Sequence, residues 1–170
     1  MTIIVHHLEE SRSQRVLWLL EELGVEYEVK RYARNPQTRL APPELKAIHP
    51  LGKSPLLERD GKIFAESGAI VEYFAESEAG GKLAVPPGDP ARAEYLYWLH
   101  FAEGSAMLPL LLKLYVGLLG DAGAPLMQMR VEPEIDNHLS YANARLADGN
   151  HFVANRFTAA DIEMSFVLDA

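Results

Sequence analysis

Short β-branched runs alternate with helical patterns over residues 1–76, and then the alternation stops, leaving almost only helical periodicity over 90–170. No other feature constrains the fold as strongly. Strands interleaved with helices build an α/β layer, whereas successive amphipathic helices build a bundle. Two clusters of breakers, Glu78-Ala79-Gly80-Gly81-Lys82 and Val85-Pro86-Pro87-Gly88-Asp89-Pro90, mark the seam. The chain therefore divides into an α/β domain over 1–77, a linker over 78–90 and an all-α domain over 91–170.

Within the first domain, Thr2–His7 reads as a strand carrying Ile3, Ile4 and Val5. Ser11 to Leu23 reads as a helix, because Val16, Leu19, Leu20 and Leu23 fall on one face and Gly24 follows its end. Glu26–Tyr32 alternates Tyr27 and Val29 with charged residues, the pattern of a half-buried strand. Pro42-Pro43-Glu44-Leu45 opens a short helix with prolines where a missing N–H costs least. Pro55-Leu56-Leu57-Glu58-Arg59 and Lys62-Ile63-Phe64-Ala65 flank Asp60-Gly61, a strong hairpin signal. Ser67 then starts a helix through Ile70, Val71, Tyr73 and Phe74. The order is βαβ–α–ββα. A strand–helix–strand unit requires a right-handed parallel crossover and the hairpin adds an antiparallel edge, so a four-stranded mixed sheet with helices on its faces is expected.

The second domain reads as a long helix from Ala91 to Leu114, another from Met129 to Leu146 and a third from Thr158 onward. Thr158-Ala159-Ala160-Asp161 has capping-box spacing, with Phe157 and Ile162 at the staple positions. Tyr95, Trp98, Phe101, Met107 and Tyr115 on the long helix read as core or interface rather than as a ligand pocket. Asp161 to Ala170 is an apolar helical pattern without a stop signal, so further C-terminal residues are expected to pack beneath it.

Composition removes several classes of function. Sixteen Lys and Arg against 24 Asp and Glu leave a net charge of −8, without the basic footprint that nucleic acid or an anionic membrane surface requires. The absence of cysteine excludes disulfides, thiolate metal sites and a cysteine nucleophile in this chain. Polar His6 follows Met1-Thr2-Ile3-Ile4-Val5, so no secretory signal is expected there, and Leu108–Leu119 is too short to span a bilayer and carries Lys113. A cytoplasmic location fits these features. The six histidines (6, 7, 49, 100, 138 and 151) lack the spacing of a metal site, and no metal is expected.

Three short segments could carry chemistry. Glu9-Glu10-Ser11-Arg12-Ser13-Gln14-Arg15 sets Ser11 and Gln14 at capping-box spacing, which makes Ser11 a helix N-cap. The same position suits an anion, because a hydroxyl there stands beside backbone N–H groups and Arg12. An external thiolate could be that anion. Lowering a thiol pKa from ~8.5 by about two units requires roughly 2.7 kcal/mol of preferential thiolate stabilisation. Lys53-Ser54-Pro55 precedes a strand, and two forms fit it. A trans proline would simply enter an edge strand, whereas a cis bond would turn the Ser54 backbone outward to pair with a peptide. Glu66-Ser67-Gly68-Ala69 opens a helix with Ser67 as N-cap, and a hydroxyl beside a carboxylate also suits the α-amino-acid end of a ligand.

Taken in order, the first strand, Ser-x-x-x-Arg, His-Pro-Leu-Gly-Lys-Ser-Pro-Leu-Leu, the Asp-Gly hairpin, Glu-Ser-Gly-Ala-Ile, the helical domain and Phe-Thr-Ala-Ala-Asp-Ile resemble the glutathione transferase family over essentially the whole chain. The first domain looks most like the serine-type, theta-like branch and its bacterial and fungal relatives. The resemblance implies a thioredoxin-like N-terminal domain followed by an α-helical bundle. It implies that Ser11 bonds the glutathione sulfur, with Ser13 as fallback, and that Ser54, before a cis Pro55, pairs with the cysteinyl unit. Glu66 and Ser67 would hold the γ-glutamyl end and Lys53 the glycine carboxylate, with Arg39 assisting. Glu103 would reach the glutathione amine of a neighbouring subunit in a homodimer. The tyrosine-type chemistry is not implied, since the first strand offers His6 and His7 instead. Asn155-Arg156-Phe157 also departs from the family pattern, lacking the glycine expected before the staple.

What the resemblance implies functionally is an enzyme that joins glutathione, as co-substrate, to a small hydrophobic electrophile. The electrophile would lie between the 8–13 loop and the long helix, near Leu111 and Tyr115. Two alternatives use the same fold: a non-catalytic glutathione-binding scaffold, and a glutathione-dependent peroxidase or dehalogenase.

Overall fold

The computed structural model describes residues 2–170. The chain forms two compact units, residues 1–84 and 85–170. In the first, β1 (Ile3–Leu8) lies inside a four-stranded sheet of order β2-β1-β3-β4. A crossover through α1 (Ser13–Leu23) brings β2 (Glu28–Tyr32) parallel to β1, with Ile4 opposite Glu28 and Leu8 opposite Tyr32. After α2 (Glu44–Ile48), β3 (Leu56–Arg59) runs antiparallel to β1 on its other side, pairing Val5 with Leu57. The hairpin to β4 (Lys62–Ala65) completes the sheet and α3 (Ser67–Ser77) follows. This is the thioredoxin-like arrangement expected from βαβ–α–ββα.

Alternation along β1 decides what each face receives. Ile3 and Val5 point to the side where α1 and α3 pack, and Val16, Leu19, Leu20, Ile70, Val71 and Phe74 are fully buried. Leu8 points the other way, into a smaller cluster with Tyr32, Leu56 and Leu45 of α2. Each such side chain contributes about 1.5–3 kcal/mol by leaving water. At the hairpin, Asp60 and Gly61 both adopt positive φ, +50° and +76°, which a two-residue turn between twisted strands requires. Gly52 is needed for a second reason. Its φ is +58°, and a Cβ there would stand 2.6 Å from Cγ of Lys46, so only glycine lets the chain leave α2 toward Lys53.

Several elements differ from the sequence expectation. The first strand runs one residue further, because Leu8 still pairs with Tyr32. The second begins at Glu28 and is an edge strand: Val29 is 44% exposed and only Tyr32 is buried, so it is not half-buried along its length. The first helix begins at Ser13, with Arg12 at the N-cap position and no side-chain cap bond, so Ser11 is not its N-cap and the Ser11–Gln14 box does not form. Glu66 occupies the N-cap position of α3, which makes Ser67 its first helical residue instead of its cap.

In the second unit the expected long helix is α4 (Arg92–Phe101), a π-turn over 102–106 and α5 (Met107–Gly117). A 3₁₀ turn over 120–123, the single turn α6 (Ala124–Leu126) and a second π-turn over 127–131 lead into α7 (Glu132–Ala147). The last helix is α8 (Ala159–Asp169). Trp98 stacks on Tyr141 with ring centroids 5.3 Å apart and meets Phe152 at 4.6 Å. Tyr95, Trp98 and Met107 are core residues, whereas Tyr115 is exposed. The Thr158–Asp161 box forms: the Asp161 carboxylate accepts the Thr158 N–H at 2.8 Å and the Phe152 N–H at 3.0 Å, tying the preceding loop to the helix start. Among the described residues no helix is long and apolar enough to cross a membrane.

Candidate functional site

Where β1 ends, two segments distant in sequence bring three hydroxyl groups together. The chain leaves β1 through Glu9 and Glu10, the latter at φ +49°. Arg34 holds this turn: its guanidinium donates to the Glu9 carbonyl at 2.8 Å, the Glu10 carbonyl at 2.8 Å and the Arg39 carbonyl at 2.9 Å. Ser11 follows, 8% exposed, and its hydroxyl donates to the Leu8 carbonyl at 2.7 Å. The Ser11 Oγ is also 2.8 Å from Ser13 Oγ and 3.4 Å from Ser54 Oγ, and it accepts the Ser13 N–H at 3.3 Å. Ser13 is fully buried, with its Oγ 2.8 Å from Nδ1 of His7. Ser54 donates to the His6 carbonyl at 3.0 Å and accepts the Leu8 N–H at 3.3 Å, which fixes it against the end of β1. The Ser54–Pro55 peptide is cis, and Pro55 is buried.

A second group lies at the start of α3. Glu66 is exposed and held at φ +70°, a conformation that a side chain other than glycine rarely adopts. Its carbonyl nevertheless accepts the Ile70 N–H at 3.0 Å, the first bond of the helix. Ser67 is buried, and its Oγ accepts a hydrogen bond at 3.1 Å from Nη1 of Arg15, itself wholly buried on α1. Arg15 thereby links the helix that follows Ser11 to the helix that begins at Ser67.

The remaining candidates are placed differently. Lys53 is exposed between Gly52 and Ser54. Arg39, at φ +58°, forms an ion pair with Glu10 and so belongs to the outer wall of the turn. Glu103 is exposed in the π-turn of the second unit. Thus Ser11, Ser13 and Ser54 are brought into contact, Glu66 and Ser67 are adjacent by chain, and Arg39 joins the Glu10 turn.

Two histidines flank this region. Burial, with Lys30 second, holds the His6 pKa below its ordinary value against the opposing pull of Glu58. Its Nδ1 is 2.9 Å from the Tyr32 hydroxyl, and its Nε2 is 3.9 Å from Glu58. Burial, with Arg31 second, likewise lowers the His7 pKa, opposed by Glu9. Among the described residues no group of three or more His, Asp or Glu side chains could hold a metal. A depression of about 680 Å³ beside Thr2, Glu21 and Tyr27 lies at the opposite end of β1 from Ser11 and gathers no hydroxyl cluster.

Three features of this site escape a reading by sequence alone. Arg34 is one basic residue in a polar loop, and nothing in its spacing shows three carbonyls converging on it. Arg15 stands within an amphipathic helix, and its burial depends on α3. The approach of His7 to Ser13 depends on the turn between them.

Comparison with known proteins matches residues 1–76 to the family described as glutathione S-transferase, N-terminal domain. Glutathione S-transferase 1 of Saccharomyces cerevisiae is 34% identical over 98% of this chain and 79% of its own length. Glutathione S-transferase 3 of Schizosaccharomyces pombe is 35% identical over 99% and 74%. Among solved structures, a glutathione S-transferase from Actinobacillus pleuropneumoniae superposes with a TM-score of 0.85 at 33% identity, covering 98% of this chain and 76% of that one.

Proposed function

Since the chain belongs to the glutathione S-transferase family, we propose that it is a serine-type member transferring the glutathione thiolate to small hydrophobic electrophiles, with Ser11 stabilising the thiolate. The observation that carries this is the meeting of Ser11 Oγ with Ser13 Oγ at 2.8 Å and Ser54 Oγ at 3.4 Å. It sets the proposed thiolate partner beside the residue proposed to pair with the cysteinyl backbone.

The chemistry asks for a better nucleophile held in place. The Ser11 hydroxyl now donates to the Leu8 carbonyl; rotating it toward a bound sulfur replaces a neutral hydrogen bond by a charge-assisted one. Such a bond contributes about 1.5–3 kcal/mol, the range needed to lower a thiol pKa by about two units. Ser13 is set behind Ser11 and serves it, which favours Ser11 over the fallback.

The rest of the tripeptide follows from charge. Ser67 accepts from Arg15 and therefore keeps its own hydrogen to donate. With the buried Arg15 guanidinium and the start of α3 behind it, this hydroxyl suits the γ-glutamyl carboxylate, while the exposed Glu66 carboxylate suits the ammonium. Lys53, exposed beside Ser54, suits the glycine carboxylate. The Arg39–Glu10 ion pair gives Arg39 a supporting part only. Glutathione binding is assigned to a domain over 1–77, followed by a linker over 78–90 and the helical domain over 91–170. Cytoplasmic homodimerisation belongs to the same proposal, and a monomer by light scattering at micromolar concentration would remove it.

Calorimetric titration with glutathione across several pH values tests the centre of this reading. Saturable binding with proton release near pH 7, abolished in Ser11→Ala while binding persists, is the expected result. Binding without proton release in the unaltered protein would leave a glutathione-binding scaffold instead of a transferase.

A further inference from the structure

The hydrogens along His7, Ser13 and Ser11 can be counted, and the count closes in one direction only. Ser11 Oγ lies 2.7 Å from the Leu8 carbonyl, which can only accept, so the single Ser11 hydroxyl hydrogen lies between them. The 2.8 Å contact between Ser11 Oγ and Ser13 Oγ must then be donated by Ser13. With that hydrogen committed, the 2.8 Å contact between Ser13 Oγ and Nδ1 of His7 requires a hydrogen on Nδ1. Two longer approaches remain, Ser13 Oγ to the Leu8 carbonyl and Ser11 Oγ to Ser54 Oγ, both at 3.4 Å. Each is at the weak limit, the Ser54 hydrogen is already given to the His6 carbonyl, and neither changes this order.

We infer that His7 is a positioning residue whose Nδ1–H fixes the donor direction His7→Ser13→Ser11, so that Ser11 accepts from behind and presents its one hydrogen to the thiolate. This rests on Ser11 being the thiolate partner. Ser11 receives two donors, the Ser13 hydroxyl and the Ser13 N–H at 3.3 Å, and each polarises its O–H further. If His7 carried its hydrogen on Nε2 instead, Ser13 would turn toward His7. Ser11 would then have one hydrogen for two short contacts and lose the donor behind it. Burial and the nearby Arg31 keep His7 neutral near pH 7, so the position of its hydrogen is a matter of tautomer.

The tautomer can be read in the unaltered protein from imidazole nitrogen shifts above pH 7. A hydrogen-bearing Nδ1 and a bare Nε2 on His7 are expected, and the reverse would overturn the inference. The consequence is read from the pH dependence of thiolate absorbance of bound glutathione. His7→Leu should raise the thiol pKa by about one unit, about threefold less thiolate at pH 7. His7→Asn, whose amide can donate near the Nδ1 position, should recover at least half of that shift. Affinity for S-methylglutathione, which has no thiol, should be unchanged in both. Equal shifts in the two variants with loss of S-methylglutathione affinity would make His7 merely structural and overturn the inference. Ser11→Ala separates the two levels: if it raises the thiol pKa while His7→Leu does not, the His7 role alone fails. If Ser11→Ala leaves the pKa unmoved, the thiolate role of Ser11 fails first.

Discussion

Two helix starts in this chain carry nearly the same capping signature and use it oppositely. At α8, Thr158 and Asp161 close on each other, and the Asp161 carboxylate also takes the Phe152 N–H, so the polar groups serve the helix and its loop. At α1, Ser11 and Gln14 have equivalent spacing, yet no side chain caps the helix, and the Ser11 hydroxyl joins Leu8, Ser13 and Ser54. The pattern shows where a helix begins but not what its hydroxyl does. A hydroxyl diverted from capping into a cluster drawn from several segments marks a site; one closed on its own first turn marks a fold.

Substitutions can break that contrast. The largest effect is expected at α8: Asp161→Ala removes a cap worth about 1 kcal/mol and leaves the Phe152 N–H unmatched at about 1–3 kcal/mol. Denaturant unfolding should therefore show a loss near 3 kcal/mol. Ser11→Ala should lower turnover at pH 7 by about 25-fold, the fall in thiolate fraction when the thiol pKa returns from about 6.5 to about 8.5, and change glutathione affinity little. Its stability cost should stay below about 1 kcal/mol; a loss equal to that of Asp161→Ala would erase the contrast. Glu66→Gly sharpens it further, because glycine relieves a left-handed conformation worth about 1–3 kcal/mol. The variant should unfold at higher denaturant while binding glutathione about tenfold more weakly, the ammonium partner being gone. Equal or tighter binding would remove Glu66 from the site.

The smallest effect is on pH. His6 and His7 both have folded pKa values below the unfolded 6.5, so the unfolded chain binds more protons as pH falls through that value. Their contribution to stability is complete above pH 6.5 and is lost progressively below it. The acid side of the stability profile should be shallower in His6→Gln, and an unchanged slope would show that His6 is not responsible.

How much of this was legible depended on how local each signal was. Asp60-Gly61 determined a hairpin because two positive φ angles are a property of those two residues. The Thr158 box needed only four residues, and the burial of Leu19 and Leu20 followed from their spacing. The edge position of β2 did not show, because Tyr27 and Val29 alternate as an inward-facing strand would, and only sheet order reveals that Val29 meets solvent. The π-turn at 102–106 was hidden inside an unbroken helical pattern. At the site, residue types were readable and partners were not. Ser11 and Ser67 both looked like caps, and finding their actual partners, Ser13 and Ser54 for one and Arg15 for the other, needs the fold.

The sheet order also has a consequence for how the protein is made. β1 leaves the ribosome well before one of its neighbours, β3, which lies some fifty positions later, and Ser54 follows Ser11 by 43. A nascent chain that has released only β1, α1 and β2 holds the Ser11 hydroxyl with no Ser54 beside it and one flank of β1 unpaired. At ~5–20 residues per second, that interval lasts for seconds. Vectorial synthesis thus leaves β1 exposed on one side until the hairpin arrives, and the hydroxyl cluster of Ser11, Ser13 and Ser54 comes into being only as that flank closes.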